Sequence, residues 1–193
     1  NYAREIVFSE KDAAFAAIDK ITAIHAAVEA NRDSKIPDWA YRDVLFMLIY
    51  YSQASFELLE RKLTDAEKNE IFDVFYRVGE RMGLKDLPEN YTEWLIMRGE
   101  HLQKDLEKSH YTTDLYKQYR KHLGFVRYQI LLEGQKLVVP KRVNKLLNFG
   151  KSSWFIPLLH IYKLSRRINL DWFVKSLVLP KMYKKQIKNL DIE

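Results

Sequence analysis

The sequence contains no cysteine, only 6 glycines and 5 prolines, and no long apolar run. Without cysteine, a disulfide scaffold, a thiolate nucleophile and a thiolate metal site are excluded. The low glycine and proline content excludes collagen-like and low-complexity chains. The longest apolar run, residues 44–51, is far shorter than the roughly 20 residues that a bilayer-spanning helix needs. With no transmembrane segment and no signal-peptide pattern, we expect a cytoplasmic or peripheral membrane location.

The composition indicates a folded domain with an uneven charge. The 193 residues are 47% hydrophobic and 30% charged, so we expect residues 1–193 to form a single domain. Residues 1–100 carry 13 Lys and Arg against 19 Asp and Glu, whereas residues 101–193 carry 19 against 7. A basic half attracts phosphate, carboxylate or an anionic membrane surface, although a solvated surface is the simpler interpretation. No nucleic-acid-binding or phosphate-loop motif is present, so we do not expect nucleic acid as a partner.

Apolar residues recur at helical spacing almost throughout, which predicts an all-α fold: a single globular multi-helix bundle with a buried central helix. Residues 9–12 and 64–67 resemble capping boxes, and Gly83 is typical of a helix end. Residues 44–51 are apolar on every face, so we expect this helix to be central and buried on all sides. Gly124 and Gly134 interrupt a long helical segment that opens at Thr113 or Asp114, and Pro140 starts a short helix to about Leu147.

Five histidines are the candidate ligands, and no two lie four residues apart as a helical zinc pair requires. His101, His110 and His122 lie among polar residues, so we expect them on the surface. His25 lies on the apolar stripe of the first helix among small alanines. It is either a core histidine with a nearby partner or an axial ligand to haem iron, because a neutral imidazole offers one lone pair to a metal.

Several short motifs follow one another in a fixed order. They are residues 21–28 (ITAIHAAV), 79–84 (GERMGL), Leu87-Pro88 and Leu179-Pro180-Lys181. In this order, from about Tyr2 to Leu190, the chain resembles the oxygenase family that includes the fungal MpaB proteins and the bacterial latex-clearing rubber oxygenases. The resemblance implies an all-α fold with haem b, and His25 at the position of the proximal iron ligand. It also implies oxidative cleavage of carbon–carbon double bonds by dioxygen, in an apolar small-molecule or polyisoprenoid substrate.

The chain departs from the family pattern at two places. An Arg and a Thr one turn apart belong to a family helix that would lie before Asn1, and residues 46–49 lack the second histidine of many members. A descendant of the fold without haem is therefore an alternative. If haem is bound, we expect an apolar channel lined by residues such as Phe46 and Tyr50. The sequence identifies no further catalytic residue.

The alternative function is a non-enzymatic all-α module that binds an apolar ligand or an anionic membrane surface. It depends on basic residues of the C-terminal half close to Trp154, Phe155, Trp172 and Phe173. These basic residues are Lys163, Arg166, Arg167, Lys175, Lys181, Lys184, Lys185 and Lys188.

Overall fold

The fold is known from a computed structural model, which describes residues 9–168 together with Ile6, Leu170, Trp172, Phe173, Ser176, Lys184 and Lys188. Seven helices and no strand occur in these residues, which confirms the all-α fold class. The helices are α1 (Lys11–Arg32), α2 (Asp38–Leu59), α3 (Asp65–Arg81), α4 (Tyr91–Lys104), α5 (His110–Val138), α6 (Lys141–Leu147) and α7 (Ile156–Arg167). The motif Leu179-Pro180-Lys181 lies outside the described residues.

The chain divides into two compact units. The first takes its described residues from Asn1–Phe56 and Lys62–Lys104, and so holds α1, most of α2, α3 and α4. The second takes them from Glu57–Arg61 and Asp105–Glu193, and so holds α5, α6 and α7. The prediction of one domain over residues 1–193 stays a prediction. No helix in the described part of the chain is long and apolar enough to cross a membrane.

The core of the first unit is centred on α2. Leu45, Phe46 and Ile49 are buried on one face of this helix, where Phe72 of α3 and Trp94 of α4 pack against them. The expectation that α2 is buried on every side is wrong. Its opposite face exposes three apolar residues, Val44 (53% exposed), Met47 (45%) and Leu48 (43%). A helix is buried all round only when neighbours surround it, and the core of this unit covers one face.

Of the two capping boxes predicted from the sequence, the structure contains one. The Thr64 hydroxyl accepts a hydrogen bond from the Glu67 amide (3.2 Å), and the Glu67 carboxylate accepts one from the Thr64 amide (2.8 Å). This reciprocal pair confirms the predicted capping box at the start of α3. The capping box predicted at Ser9 is wrong, because Glu10 is the N-cap of α1 and makes no side-chain capping bond.

Helix α5 consists of two arms that fold back on each other at Gly124. Its backbone lies in the left-handed region there (φ +73°), which glycine adopts without steric cost. The Tyr116 hydroxyl of the first arm donates to Gln135 Oε1 of the second (2.9 Å). The break at Gly124 is therefore as predicted, whereas Gly134 lies within a regular helix. The first arm starts earlier than predicted, because the Ser109 hydroxyl caps it.

A buried carboxylate fixes the second arm of α5 to the segment that precedes α7. Glu133 accepts hydrogen bonds from Lys136 Nζ (2.5 Å) and from the Trp154 amide (3.2 Å), and its carbonyl accepts one from Ser153 (3.2 Å). Burial alone would raise the pKa of Glu133, but hydrogen bonds from Lys136 and Ser153 lower it below its ordinary value. Glu133 is therefore ionised at neutral pH and serves as a structural acceptor.

Candidate functional site

An open cleft of about 240 Å³ lies beside His25 in the first unit. One wall is the middle of α1, another is the loop and first turn that lead into α2, and a third is the C-terminal end of α3. The cleft therefore joins segments that are distant in the sequence. Its lining residues are Thr22, His25, Ala26, Glu29, Lys35, Ile36, Asp38, Tyr41, Met82, Gly83 and Leu84.

The His25 ring is half-buried, and its nitrogens make no hydrogen bond to any described residue. The Nδ1 atom is buried and has no partner. The Tyr41 ring contacts the imidazole edge to face, with centroids 5.3 Å apart and an angle of 60° between the planes. Buried polar atoms nearly always have a partner in native proteins. The Nδ1 atom is thus not used by the protein in the part of the chain described.

A hydrogen-bond network orders the residues around His25. Glu29 Oε1 accepts a bond from the Ile36 amide (2.9 Å) and another from the Tyr41 hydroxyl (3.1 Å). Burial and the adjacent Glu29 carboxylate raise the pKa of Tyr41, so its phenol stays protonated at neutral pH and remains a donor. The network fixes the loop before α2 to α1, and it holds the Tyr41 ring against the imidazole.

The opposite wall is built by the GERMGL motif at the end of α3. Gly79 is buried so close to α2 that a Cβ atom there would lie 2.7 Å from Leu45 Cδ2. The helix ends because Gly83 adopts a left-handed conformation (φ +76°), and the Leu84 amide then donates to the Gly79 carbonyl (3.0 Å). This turn directs Met82, Gly83 and Leu84 to the cleft. The two motifs that carried the family resemblance, around His25 and around Gly83, therefore meet at one site.

A two-pronged ion pair fixes these two walls to each other. Arg81, at the end of α3, donates to both carboxylate oxygens of Asp19 on α1, over 2.7 Å and 2.6 Å. The guanidinium also lies 4.8 Å from the centroid of the Phe15 ring. The hydrogen bond from Arg81 lowers the pKa of Asp19 below its ordinary value, so the pair is charged at neutral pH.

The residues present fit an axial haem ligand. The Nδ1 atom of His25 has no partner, and the small side chain of Ala26 lines the cleft beside it and leaves room for a flat ring. The cleft, at about 240 Å³, is smaller than the about 300–1,000 Å³ of typical enclosed ligand pockets. No three His, Asp or Glu residues in the described part of the chain form a metal-binding group. A porphyrin supplies its own in-plane nitrogens, so a single imidazole is sufficient.

Two residues expected to line the pocket lie elsewhere. Phe46 is buried in the core of the first unit and does not reach the cleft. Tyr50 does not line it either, because its ring packs beneath the Arg98 guanidinium at 3.7 Å. Burial lowers the pKa of Arg98, although the neighbouring tyrosines oppose this effect. The apolar run of α2 therefore contributes to the core and not to the cleft.

His101 was expected on the surface and is buried. Its ring lies 5.4 Å from the Phe46 ring, and its Nδ1 atom is 3.8 Å from Asp43 Oδ1. A signal was present in the sequence, because His101 follows the buried Trp94 by seven residues, which is two helical turns. Its polar neighbours in the sequence lie on the other faces of α4.

Sequence reasoning missed Glu29 and Tyr41, the two residues that order the His25 cleft. Glu29 follows His25 by four residues and so lies on the same helix face, a spacing that could have identified it. Tyr41 carried no local signal, because its position depends on the turn between α1 and α2.

One comparison with known proteins finds a relationship. The family model described as the catalytic domain of ER-bound oxygenase mpaB/B' and rubber oxygenase matches residues 1–153. No significant match was found among curated proteins or among solved structures. The match covers the first unit with its His25 cleft and the α5 hairpin. The chain belongs to the ER-bound oxygenase mpaB/B'/rubber oxygenase catalytic-domain family.

Proposed function

We propose that this protein is a haem-b-dependent oxygenase that cleaves carbon–carbon double bonds of an apolar, isoprenoid-like substrate with dioxygen. One observation carries the proposal: the His25 imidazole, whose buried Nδ1 atom has no protein partner in the described residues, lines a cleft to which both family motifs contribute. Membership of the oxygenase family supports the reaction class.

His25 would be the residue that holds the haem iron in this proposal. An imidazole that binds iron through one nitrogen carries its proton on the other, and the surroundings of the ring set its orientation. Here Tyr41 supplies that orientation through its edge contact with the ring. Glu29 holds Tyr41 in turn, so the ligand is positioned before the cofactor binds.

The reaction needs only the substrate and dioxygen. When bound, haem iron binds and activates dioxygen. One double bond and one dioxygen molecule give two carbonyl groups, each with one of the two oxygen atoms, so no external reductant is consumed. The protein contributes an apolar surface on which the substrate can lie, and Ile24 and Val28 of α1 are exposed beside the cleft residues.

Haem binding is tested by adding haem to the purified full chain and recording the visible spectrum. We expect a Soret band that reaches a maximum at one haem per chain and is lost in His25→Ala. His122→Ala is the matched control, because His122 is an exposed histidine outside the cleft, and we expect it to keep the band. A protein that binds no haem, or a His25→Ala variant with an unchanged spectrum, would contradict the proposal.

The reaction is tested with a polyisoprenoid in air. We expect products that end in carbonyl groups and incorporate label from isotopic dioxygen, at a rate that falls by at least about a hundredfold in His25→Ala, as for loss of a metal-site residue. If haem binds but no cleavage product forms, the haem site stands and the oxygenase activity is wrong.

A second candidate function is peripheral binding to an anionic membrane. Helix α7 supports it, because Leu158, Ile161 and Leu164 are exposed along one side of the helix and Trp154 is exposed just before it. An apolar helix face flanked by basic residues is typical of helices that lie in a membrane surface. Of the basic residues in this prediction, Arg166 pairs with Glu60 and Lys188 lies 5.6 Å from the Trp172 ring. Lys175, Lys181 and Lys185 lie outside the described residues, as does the side chain of Arg167.

Sedimentation with vesicles of phosphatidylglycerol and phosphatidylcholine tests the membrane candidate. We expect binding that weakens steeply with salt and is lost in Leu164→Glu. Val126→Glu is the control, because it places the same charge at another exposed apolar residue, on α5. Equal binding by Leu164→Glu and the unchanged protein would rule α7 out as the contact.

A further inference from the structure

A second and larger pocket lies in the second unit, between the two arms of α5 and the loop that follows α6. Its volume is about 460 Å³, within the about 300–1,000 Å³ that is typical of small-molecule sites. Thr113, Tyr116 and Arg120 line it from the first arm at helical spacing. Tyr128, Leu132 and Lys136 line it from the second arm. Each arm therefore presents one face to the pocket, and the turn at Gly124 brings the two faces together.

The rim of this pocket is cationic. Lys108, Lys117 and Arg120 line it, are exposed, and have no ion-pair partner among the described residues. A fourth cation, Lys136, is already paired with Glu133. None of the described lining residues is acidic. The three unpaired charges thus act on the same opening and favour an anion there.

The floor of the pocket is mostly apolar. Leu132, Leu147 and Phe149 are half-buried in it. Tyr116 presents its ring, because its hydroxyl is bonded to Gln135. The Tyr128 hydroxyl has no hydrogen-bond partner in the described residues and is available as a donor. An apolar floor below a cationic rim matches a molecule that is itself apolar at one end and anionic at the other.

We propose that the α5 hairpin binds an amphiphile with one phosphate or carboxylate group on an apolar body. The head group contacts Lys117 and Arg120, which lie one helical turn apart, and the apolar body covers Leu132 and Phe149. This site is separate from the His25 cleft, and it does not depend on haem binding or oxygenase activity.

Dodecyl phosphate, below its micelle concentration, is the probe for this site. Isothermal titration of the full chain should show one molecule bound, and the double variant Lys117→Gln/Arg120→Gln should bind at least about tenfold more weakly, since it loses two charge-assisted contacts to the head group. Lys121→Gln is the matched control, because Lys121 lies on the same arm, next to Arg120, but does not line the pocket. Equal affinity in the double variant and the Lys121→Gln control would overturn the proposal.

Three further probes separate the parts of the ligand. Dodecyl maltoside keeps the chain but has no charge, and inorganic phosphate keeps the charge but has no chain, so both should bind at least about tenfold more weakly than dodecyl phosphate. Inorganic phosphate that binds as tightly as dodecyl phosphate would overturn the apolar part of the proposal. Vesicles that contain phosphatidic acid distinguish the source of the head group. Binding to them that requires Lys117 and Arg120 identifies a membrane lipid, and binding of dodecyl phosphate alone identifies a free amphiphile.

Discussion

At the scale of single residues, three of the described histidines differ in what surrounds their rings. His101 is buried, its ring lies near the Phe46 ring, and its Nδ1 atom is 3.8 Å from Asp43 Oδ1. His160 is exposed, and its Nδ1 atom lies 2.8 Å from the Ile156 carbonyl one turn earlier. His25 has neither kind of partner among the described residues, although its Nδ1 atom is buried. His25 is the residue to which we assign the proposed iron-binding role.

The prediction at the scale of single residues concerns Tyr41. Tyr41→Phe removes the hydrogen bond to Glu29 but keeps the ring against His25, so we expect a loss of about 0.5–1.5 kcal/mol in the free energy of unfolding and unchanged haem stoichiometry. Urea denaturation and the haem titration measure the two effects. Tyr41→Ala also removes the ring, and we expect it to weaken haem binding. If Tyr41→Phe impairs haem binding as much as Tyr41→Ala does, the hydroxyl rather than the ring positions His25.

At the scale of helices, the sequence predicted those helix starts and breaks that depend on local interactions. The Thr64 capping box and the breaks at Gly83 and Gly124 depend on a few adjacent residues, and all three were predictable. The exposed face of α2 was not predictable, because burial depends on which helices pack around it. The contact between His25 and Tyr41 was not predictable for the same reason. The sequence indicated an imidazole on an apolar stripe, but the cleft exists only because α1, α2 and α3 meet there.

Two glycines inside helices provide the prediction for this scale. Gly79→Ala places a Cβ atom 2.7 Å from Leu45 Cδ2 and 3.1 Å from Leu87 Cδ1, and Leu45 is itself in the core. We expect this overpacking to lower the free energy of unfolding by about 1–2 kcal/mol.

Gly99→Ala is the control for Gly79→Ala, because nothing lies within 4 Å of the new Cβ atom in α4. It should raise the free energy of unfolding by about 0.5–1 kcal/mol through higher helix propensity. Urea denaturation measures both variants. Stabilisation by Gly79→Ala would show that α3 does not pack as tightly on α2 as the structure has it.

At the scale of the whole molecule, charge divides along the chain much as the structure does. The acidic residues 1–100 lie almost entirely in the first unit, and the basic residues 101–193 almost entirely in the second. The charge asymmetry was evident from the sequence. The sequence did not predict where the cations converge, because Lys117 and Arg120 face Tyr128 and Leu132 only after the turn at Gly124.

The prediction at the scale of the whole molecule concerns stability in acid. Each unit contains a carboxylate whose pKa is below its ordinary value, Asp19 in the first and Glu133 in the second. A group with a depressed pKa in the folded state stabilises the protein above its unfolded pKa, and this contribution is lost as the pH falls through the folded pKa. We therefore expect the free energy of unfolding to decrease as the pH falls below the ordinary values of 4.5 for Glu133 and 3.8 for Asp19.

Urea denaturation between pH 7 and pH 3 measures this acid loss. Glu133→Gln should be less stable than the unchanged protein at pH 7 and should lose less stability on acidification. Glu70→Gln is the control, because Glu70 is an exposed carboxylate with no ion pair in the described residues. The same pH dependence in Glu133→Gln and Glu70→Gln would show that Glu133 does not contribute to acid stability.

The central claim is that the His25 imidazole binds haem iron, and chemical rescue tests it most directly. The full chain with His25→Gly is mixed with haem, and the Soret band is recorded before and after addition of free imidazole. His122→Gly is the matched control for the cost of a glycine in a helix. Our account predicts no Soret band in His25→Gly alone, restoration of the band of the unchanged protein by imidazole, and no effect of imidazole on His122→Gly. A His25→Gly variant that shows the full band without imidazole would contradict it.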